Sequence, residues 1–246
     1  MLAAMERVTE VVQEVWNRAL AVQPAPAAGT VALTGLAAAV LVLAPGAWPV
    51  ARHVVTIVHE GAHGVAAWAT GRQLAGIRLH SDTSGVTVSR GRAAGAGMVL
   101  TAAAGYLGPA ALGLLAGWLL GVGRAVGLLW VLLVLLGLLL AQIRNWFGLW
   151  SVLASALVVF GVSWWLPADA QSAFAYLVAW FLLLSAPRPV LELAAQRWRH
   201  GVRDSDADQL ARLTGLPAGM WVAAFLLGTG GALGVGTSVL LAPVVG

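Results

Sequence analysis

Cysteine is absent from this chain, and so is lysine: all 14 basic residues among the 246 are arginine. Without cysteine there are no disulfides and no thiolate metal sites, so any bound metal must be held by nitrogen and oxygen. Charge is scarce as well. Charged residues make up 10% of the chain and hydrophobic ones 60%, where a soluble domain carries roughly 25% charged residues. The mean hydropathy of +0.86 points the same way: too little polar surface exists to face water, so lipid is the solvent for much of the chain. The pI near 11.0 would admit nucleic acid as a partner. The arginines, however, are scattered between apolar runs, a pattern that sets membrane orientation, and no nucleic-acid partner is expected.

The first 20 residues carry Glu6, Glu10 and Glu14 and lack an uninterrupted apolar stretch, so they are not read as a signal peptide. Val8, Val11, Val12, Val15 and Ala19 recur at helical spacing, which predicts an amphipathic segment over 1–29 lying on the bilayer. Runs of about 20 apolar residues are long enough to span a membrane. Seven candidates occur, at 30–50, 53–70, 95–120, 125–143, 146–166, 171–187 and 218–242. The expected fold is therefore an all-α polytopic membrane protein, a single domain over 1–246 with about seven transmembrane helices. Threading seven spans from a cytoplasmic N-terminus leaves only Arg52 and Arg124 outside and the other twelve arginines inside. That split predicts a multi-pass cell-membrane protein with an extracytoplasmic C-terminus and a cytoplasmic loop at 188–217.

One segment follows a different period. Ala75, Ile77 and Leu79 alternate with polar residues, as do Val86 and Val88, on either side of Ser81-Asp82-Thr83-Ser84-Gly85. Period two flanking a glycine-containing turn predicts a small cytoplasmic β-hairpin over 72–92.

Inside the second apolar run stands His59-Glu60-Gly61-Ala62-His63, the HExxH pattern. Residues i and i+4 share a helix face, so two imidazoles can take one Zn²⁺ while the intervening Glu60 serves as general base. With so few histidines and glutamates in the chain, about 0.002 chance matches are expected per sequence of this kind. Ionisable residues at membrane depth are moreover costly and mark function. The glycines of the third run, among them Gly105, Gly108 and Gly113, read as helix-packing positions.

HEGAHG (59–64), GVTV (85–88), GYLGP (105–109), RNWFG (144–148), SDADQLARLTGLP (205–217) and Trp221 occur in that order. The series resembles the M50B-like peptidases, relatives of the site-2-protease class of intramembrane zinc metalloproteases, over about residues 50–225. The better-known members of that class supply a third zinc ligand from an LDG motif, which this chain lacks. Topology directs the search for that ligand to residues 204–208, and the resemblance of the SDA stretch implies Asp206. Asn145, Glu192, Asp204 and Asp208 stay open as alternatives, and Asn145, at a cytoplasmic helix end, is expected to position substrate backbone.

The resulting expectation is a zinc metalloendopeptidase that cleaves membrane-protein substrates in or near their transmembrane segments. It would hold one Zn²⁺ through His59, His63 and Asp206, with Glu60 as base. The competing readings are a noncatalytic escort protein that keeps the fold and a proton or metal transporter. Sequence alone assigns neither substrate identity nor oligomeric state.

Overall fold

A computed structural model describes residues 2–201 and 204–245. Ten helices and one hairpin follow in order: α1 (Leu2–Leu20), α2 (Ala28–Leu43), α3 (Trp48–Ala69), β1 (Gln73–Leu79), β2 (Gly85–Arg90), α4 (Ala96–Gly121), α5 (Ala125–Gln142), α6 (Trp146–Trp165), α7 (Ala168–Ser185), α8 (Pro187–His200), α9 (Asp206–Thr214) and α10 (Ala218–Val245). The protein is a helical membrane protein with a small two-stranded sheet, as expected.

The number of crossings is lower than seven. Five helical spans are long and apolar enough to cross, one of them being α7 and α8 taken together over Ala168–Arg199. The two runs at 30–50 and 53–70 form one further, broken span, because α2 and α3 meet at 98°. Pro45 and Gly46 sit at the break, where proline cannot continue the backbone ladder. Contacts at the two ends show that the pair crosses once. Just before α2, Gln23 donates its backbone N–H to Gly123 O (2.8 Å), and its side-chain oxygen accepts from the Val126 N–H (3.2 Å), both beside the end of α4. At the far end of α3, Thr70 packs on Gly97 at the beginning of α4. The chain thus travels from one end of α4 to the other.

An even number of crossings moves the N-terminal segment. Helix α1 is exposed over nearly all of its described surface and attaches by its last turn, where Ala19 lies against Gly127 of α5. That last turn therefore lies on the face opposite the hairpin, whereas a seven-span threading puts it on the hairpin side. Arg72, Arg78, Arg90, Arg92, Arg144, Arg197, Arg199 and Arg212 gather on the hairpin side, whereas Arg124 and Arg18, in the attached last turn of α1, belong to the other. Arg203 lies outside the described residues, Arg52 stands near the α2–α3 break and Arg188 at the start of α8. Exposed tryptophans mark both borders, with Trp68, Trp146 and Trp198 on the hairpin side and Trp118 and Trp165 opposite, as amphipathic indoles do at membrane interfaces.

The hairpin is antiparallel, with Leu79 opposite Gly85 and Ile77 opposite Thr87. Its turn closes through His80 N–H to Ser84 O (2.9 Å), and Thr83 adopts the left-handed conformation at φ 67°. The outer edge of β1 is occupied by the α5–α6 junction: Arg144 N–H donates to Ile77 O (2.9 Å), and the Asn145 amide donates to Leu79 O (2.6 Å) and accepts from Leu79 N–H (3.2 Å). Ile77, Leu79, Ile143 and Val152 bury together there with Ile57 of α3, so an apolar cluster fixes the hairpin to the bundle.

Topology reporters at the N-terminus and after Gly246 should therefore give the same side, and one inserted at Ser84 the opposite side. An N-terminal reporter agreeing with Ser84 would require α2 and α3 to cross separately.

Candidate metal centre

Helix α3 carries His59 and His63 one turn apart on one face. The ring of His63 is fixed by Thr101 of α4, whose carbonyl stands 2.6 Å from Nδ1. With Nδ1–H donating there, Nε2 keeps its lone pair, the arrangement by which an outer partner sets the tautomer of a metal-binding imidazole. The His59 ring meets the Tyr106 ring edge-on at 5.0 Å, and Tyr106 in turn stacks on Phe225 of α10 at 5.1 Å.

Asp206 closes the arrangement from a third element. Its Oδ2 lies 3.2 Å from His59 Nε2 and 3.3 Å from His63 Nε2, and the two nitrogens are 3.1 Å apart. A tetrahedral ion bound by nitrogen and oxygen at about 2.0–2.1 Å holds its ligand atoms roughly 3.3 Å apart. The three atoms therefore form a triangle of the size of one tetrahedral face. Three lone pairs converging this closely repel unless a proton or a cation sits among them, so the donor set suits a divalent ion. Burial alone would raise the Asp206 carboxyl, but hydrogen bonds with His59 and His63 hold it far below the usual carboxylate range.

Glu60 is buried beside this triangle. One of its carboxylate oxygens and one ring nitrogen of each histidine lie within 4.8 Å of one another. The Thr87 hydroxyl of β2 donates to Glu60 Oε2 at 2.6 Å and stands 3.0 Å from the Glu60 carbonyl. Gly85 lies flat against the same side chain, since a Cβ there would come 2.5 Å from Glu60 Cγ and 2.7 Å from its carboxylate carbon. The hairpin thus holds Glu60 from one side while α4 holds the histidines from the other.

The α4 glycines differ in what they allow. At Gly105 a Cβ would overlap His63 Nε2 and come 2.6 Å from His59 Cε1; at Gly108 it would overlap the Ala62 methyl. Gly105 is therefore a requirement of the site, beyond the general packing role that the sequence pattern indicates.

Asp206 owes its place to Asp208 and Ser205. Ser205 caps α9 in a capping box with Asp208, and both Asp208 oxygens lie 2.6 Å from Arg197 of α8. Burial would raise the Asp208 carboxyl, but Arg197 and Ser205 lower it on balance. Asp208 is thus committed to holding the start of α9, and Asp204 is exposed. Glu192 is bound to Arg52, Arg188 and Trp48 beside the α2–α3 break, and both atoms of the Asn145 amide are used on Leu79. Of the residues considered for the third position, Asp206 is the one brought to the histidines.

Residues 32–236 match the family model described as Peptidase M50B-like. The chain belongs to the M50B-like peptidases. Comparison with curated proteins and with solved structures finds no match. Within this M50B-like chain, Thr87, Thr101, Gly85 and Tyr106 are site residues to which sequence reasoning gave no role. The signal was present in GVTV and GYLGP, whose glycines and threonine are explained by what they touch.

Metal analysis of the purified protein should show Asp206→Ala losing metal as His63→Ala does, with Asp204→Ala unchanged. Gly105→Ala removes no ligand and should also lower metal content; full occupancy in that variant would mean that α3 and α4 are not held as closely as described.

Proposed function

We propose that this M50B-like peptidase is an intramembrane zinc metalloprotease that hydrolyses peptide bonds in or near the transmembrane segments of membrane proteins. The observation that carries this reading is the triangle of His59, His63 and Asp206 with a buried carboxylate, Glu60, beside it. Those three residues would hold Zn²⁺, which when bound supplies Lewis acidity to the reacting oxygen atoms. Glu60 takes a proton from the attacking water as its oxygen bonds to the scissile carbonyl carbon. It returns that proton to the amide nitrogen as the carbon–nitrogen bond breaks. The hydrogen bond from Thr87 keeps the Glu60 carboxylate in one rotamer through both transfers.

A helical substrate hides its carbonyls in its own ladder and must unwind to be cut. Because 143–145 occupies the outer edge of β1, β2 offers the free edge on which an unwound segment can add as a strand. Asn145 then acts on substrate through the hairpin that it clamps, by holding Leu79. The arginine-rich hairpin face is assigned to the cytoplasm of the cell membrane, which puts both termini outside under six crossings.

Glu60→Gln preserves size and removes the base. It should retain metal and lose cleavage of a panel of co-expressed single-span membrane proteins tagged at both ends, by roughly 10²–10⁴-fold. Cleavage near the wild-type rate would sink this mechanism.

A further inference from the structure

A second charged cluster stands away from the metal centre, between α3 and α8. One oxygen of Glu192 on α8 accepts the Trp48 indole N–H at 2.8 Å and the Arg188 Nε–H at 3.3 Å, and the other lies 3.1 Å from Arg52 of α3. The Arg188 guanidinium also lies 4.2 Å over the Trp48 ring. One carboxylate therefore faces two guanidinium groups, leaving an excess positive charge. Each guanidinium has five N–H donors, and among the described residues Glu192 is the one side-chain acceptor that either of them reaches. The spare donors are not sealed in the interior, because the Arg52 and Arg188 side chains are 34% and 27% exposed.

The cluster lies deep, on the face of α3 that carries the metal ligands. Arg52 and His59 are seven residues apart, two helical turns, which puts them on one face about 10 Å from each other. Helices α3 and α4 run in opposite directions, with His59 and His63 against Gly105, and Trp48 and Val55 clustered with Ala116 and Leu120. The cluster is therefore about two turns further from the hairpin-side border than the histidines, near the middle of a hydrocarbon layer of about 30 Å. The hairpin descends beside α3: Gly85 and Thr87 touch Glu60, and the Thr83 carbonyl accepts from the Thr56 hydroxyl at 2.8 Å, one turn from Arg52. A segment held on β2 therefore runs along α3 towards the cluster. The apolar residues of α3 cluster with α4, α7 and the hairpin, and those of α8 with α4, α9 and α10, so the seam between α3 and α8 is held by polar groups. A cation in excess at mid-bilayer is costly and calls for an anion. Headgroups do not lie at this depth, so that anion has to arrive on a chain that itself enters the bilayer core.

We propose that Arg52 and Arg188 form a specificity subsite for the carboxylate of an aspartate or glutamate within the substrate's transmembrane segment, an inference that rests on the protease reading above. Guanidinium groups match carboxylates in geometry as well as charge, and Glu192 orients the two while competing with the incoming anion. A gap of about 10 Å corresponds to about three residues of extended chain. In an unwound segment the acidic residue therefore lies about three positions from the scissile bond, on the side facing the opposite leaflet. The favoured substrates are membrane proteins whose span carries an acidic residue near its middle.

Binding of synthetic transmembrane peptides tests the subsite apart from catalysis. The full-length Glu60→Gln protein in phosphatidylcholine nanodiscs is titrated with fluorescent Leu/Ala peptides of about 20 residues, flanked by lysines and carrying one Asp or one Asn at each position in turn. Asp in the middle third should bind about tenfold tighter than Asn at the same position, and Asp near either end should show no such preference. Adding Arg52→Gln or Arg188→Gln should abolish the preference, while Arg90→Gln on the hairpin should leave it. Glu192→Gln, which keeps the shape and removes the competing charge, should enlarge it. Metal content equal to that of Glu60→Gln identifies the variants that remain folded. Equal affinity for Asp and Asn peptides throughout the scan, or a preference that survives in the folded arginine variants, would overturn the proposal. Should both arginine variants lose metal, an unchanged preference in Glu192→Gln decides against it. Cleavage by the wild type is measured separately. Peptides bound with the Asp preference yet left intact would count against the protease reading alone, and cleavage indifferent to Asp would count against the subsite alone.

Discussion

The close approach of α3 to α4 is the constraint from which the rest of the structure follows. Two imidazoles can face a carboxylate of another helix only if the helix behind them has no side chain at that level, and Gly105 provides the gap. Gly108 allows the same approach one turn further along α4, and Thr101 fixes His63 one turn earlier. Helix α4 is thus the wall against which the histidine positions are defined. Small residues commonly allow membrane helices to pack closely; here the same spacing also makes room for a metal.

Around that wall the site is assembled from parts distant in sequence, each pinned by a polar contact. Asn145 ties down β1, which orders β2, whose Thr87 and Gly85 confine Glu60. Arg197 ties down Asp208, which caps α9 and presents Asp206. In both cases the residue nearest the chemistry is held by a neighbour that never reaches it. Removing Asp208 or Asn145 should therefore disturb the centre without removing any group from it, and a mutational survey alone would mistake either for a ligand or a substrate contact.

Much of this was legible in the sequence, and the reasons for the exceptions are physical. The hairpin shows as period-two alternation around a glycine turn, and the membrane character shows in the scarcity of charge. The crossing number did not, because a span is recognised by length and apolarity. Residues 30–50 and 53–70 both pass that test, although the Pro45–Gly46 bend makes them halves of one crossing. The contacts of Gln23 with the α4–α5 turn, which settle the matter, have no local signature. At the site, the helical spacing of His59 and His63 is a local pattern, whereas the partners Thr87, Thr101 and Tyr106 come from elements that only the fold brings near. Asp206 raised a depth difficulty at the level of sequence, as a residue near the interface paired with histidines inside a span.

Helix geometry removes that difficulty. From Gly121 to Gly105 the chain climbs about 24 Å of a hydrocarbon layer of about 30 Å, so the histidines packed on Gly105 lie roughly one helical turn below the hairpin-side border. A short capped helix such as α9 can reach that level from the aqueous side without crossing. The same depth explains why a polar cluster is tolerated in a chain this apolar. The metal centre lies near the last turn before the border, where water and headgroups are near and the penalty for a charge is smaller than at the bilayer centre. Under the proposed reading, a peptide bond presented there would lie where an unwinding segment can reach water, and hydrolysis would need both a yielding helix and a water molecule.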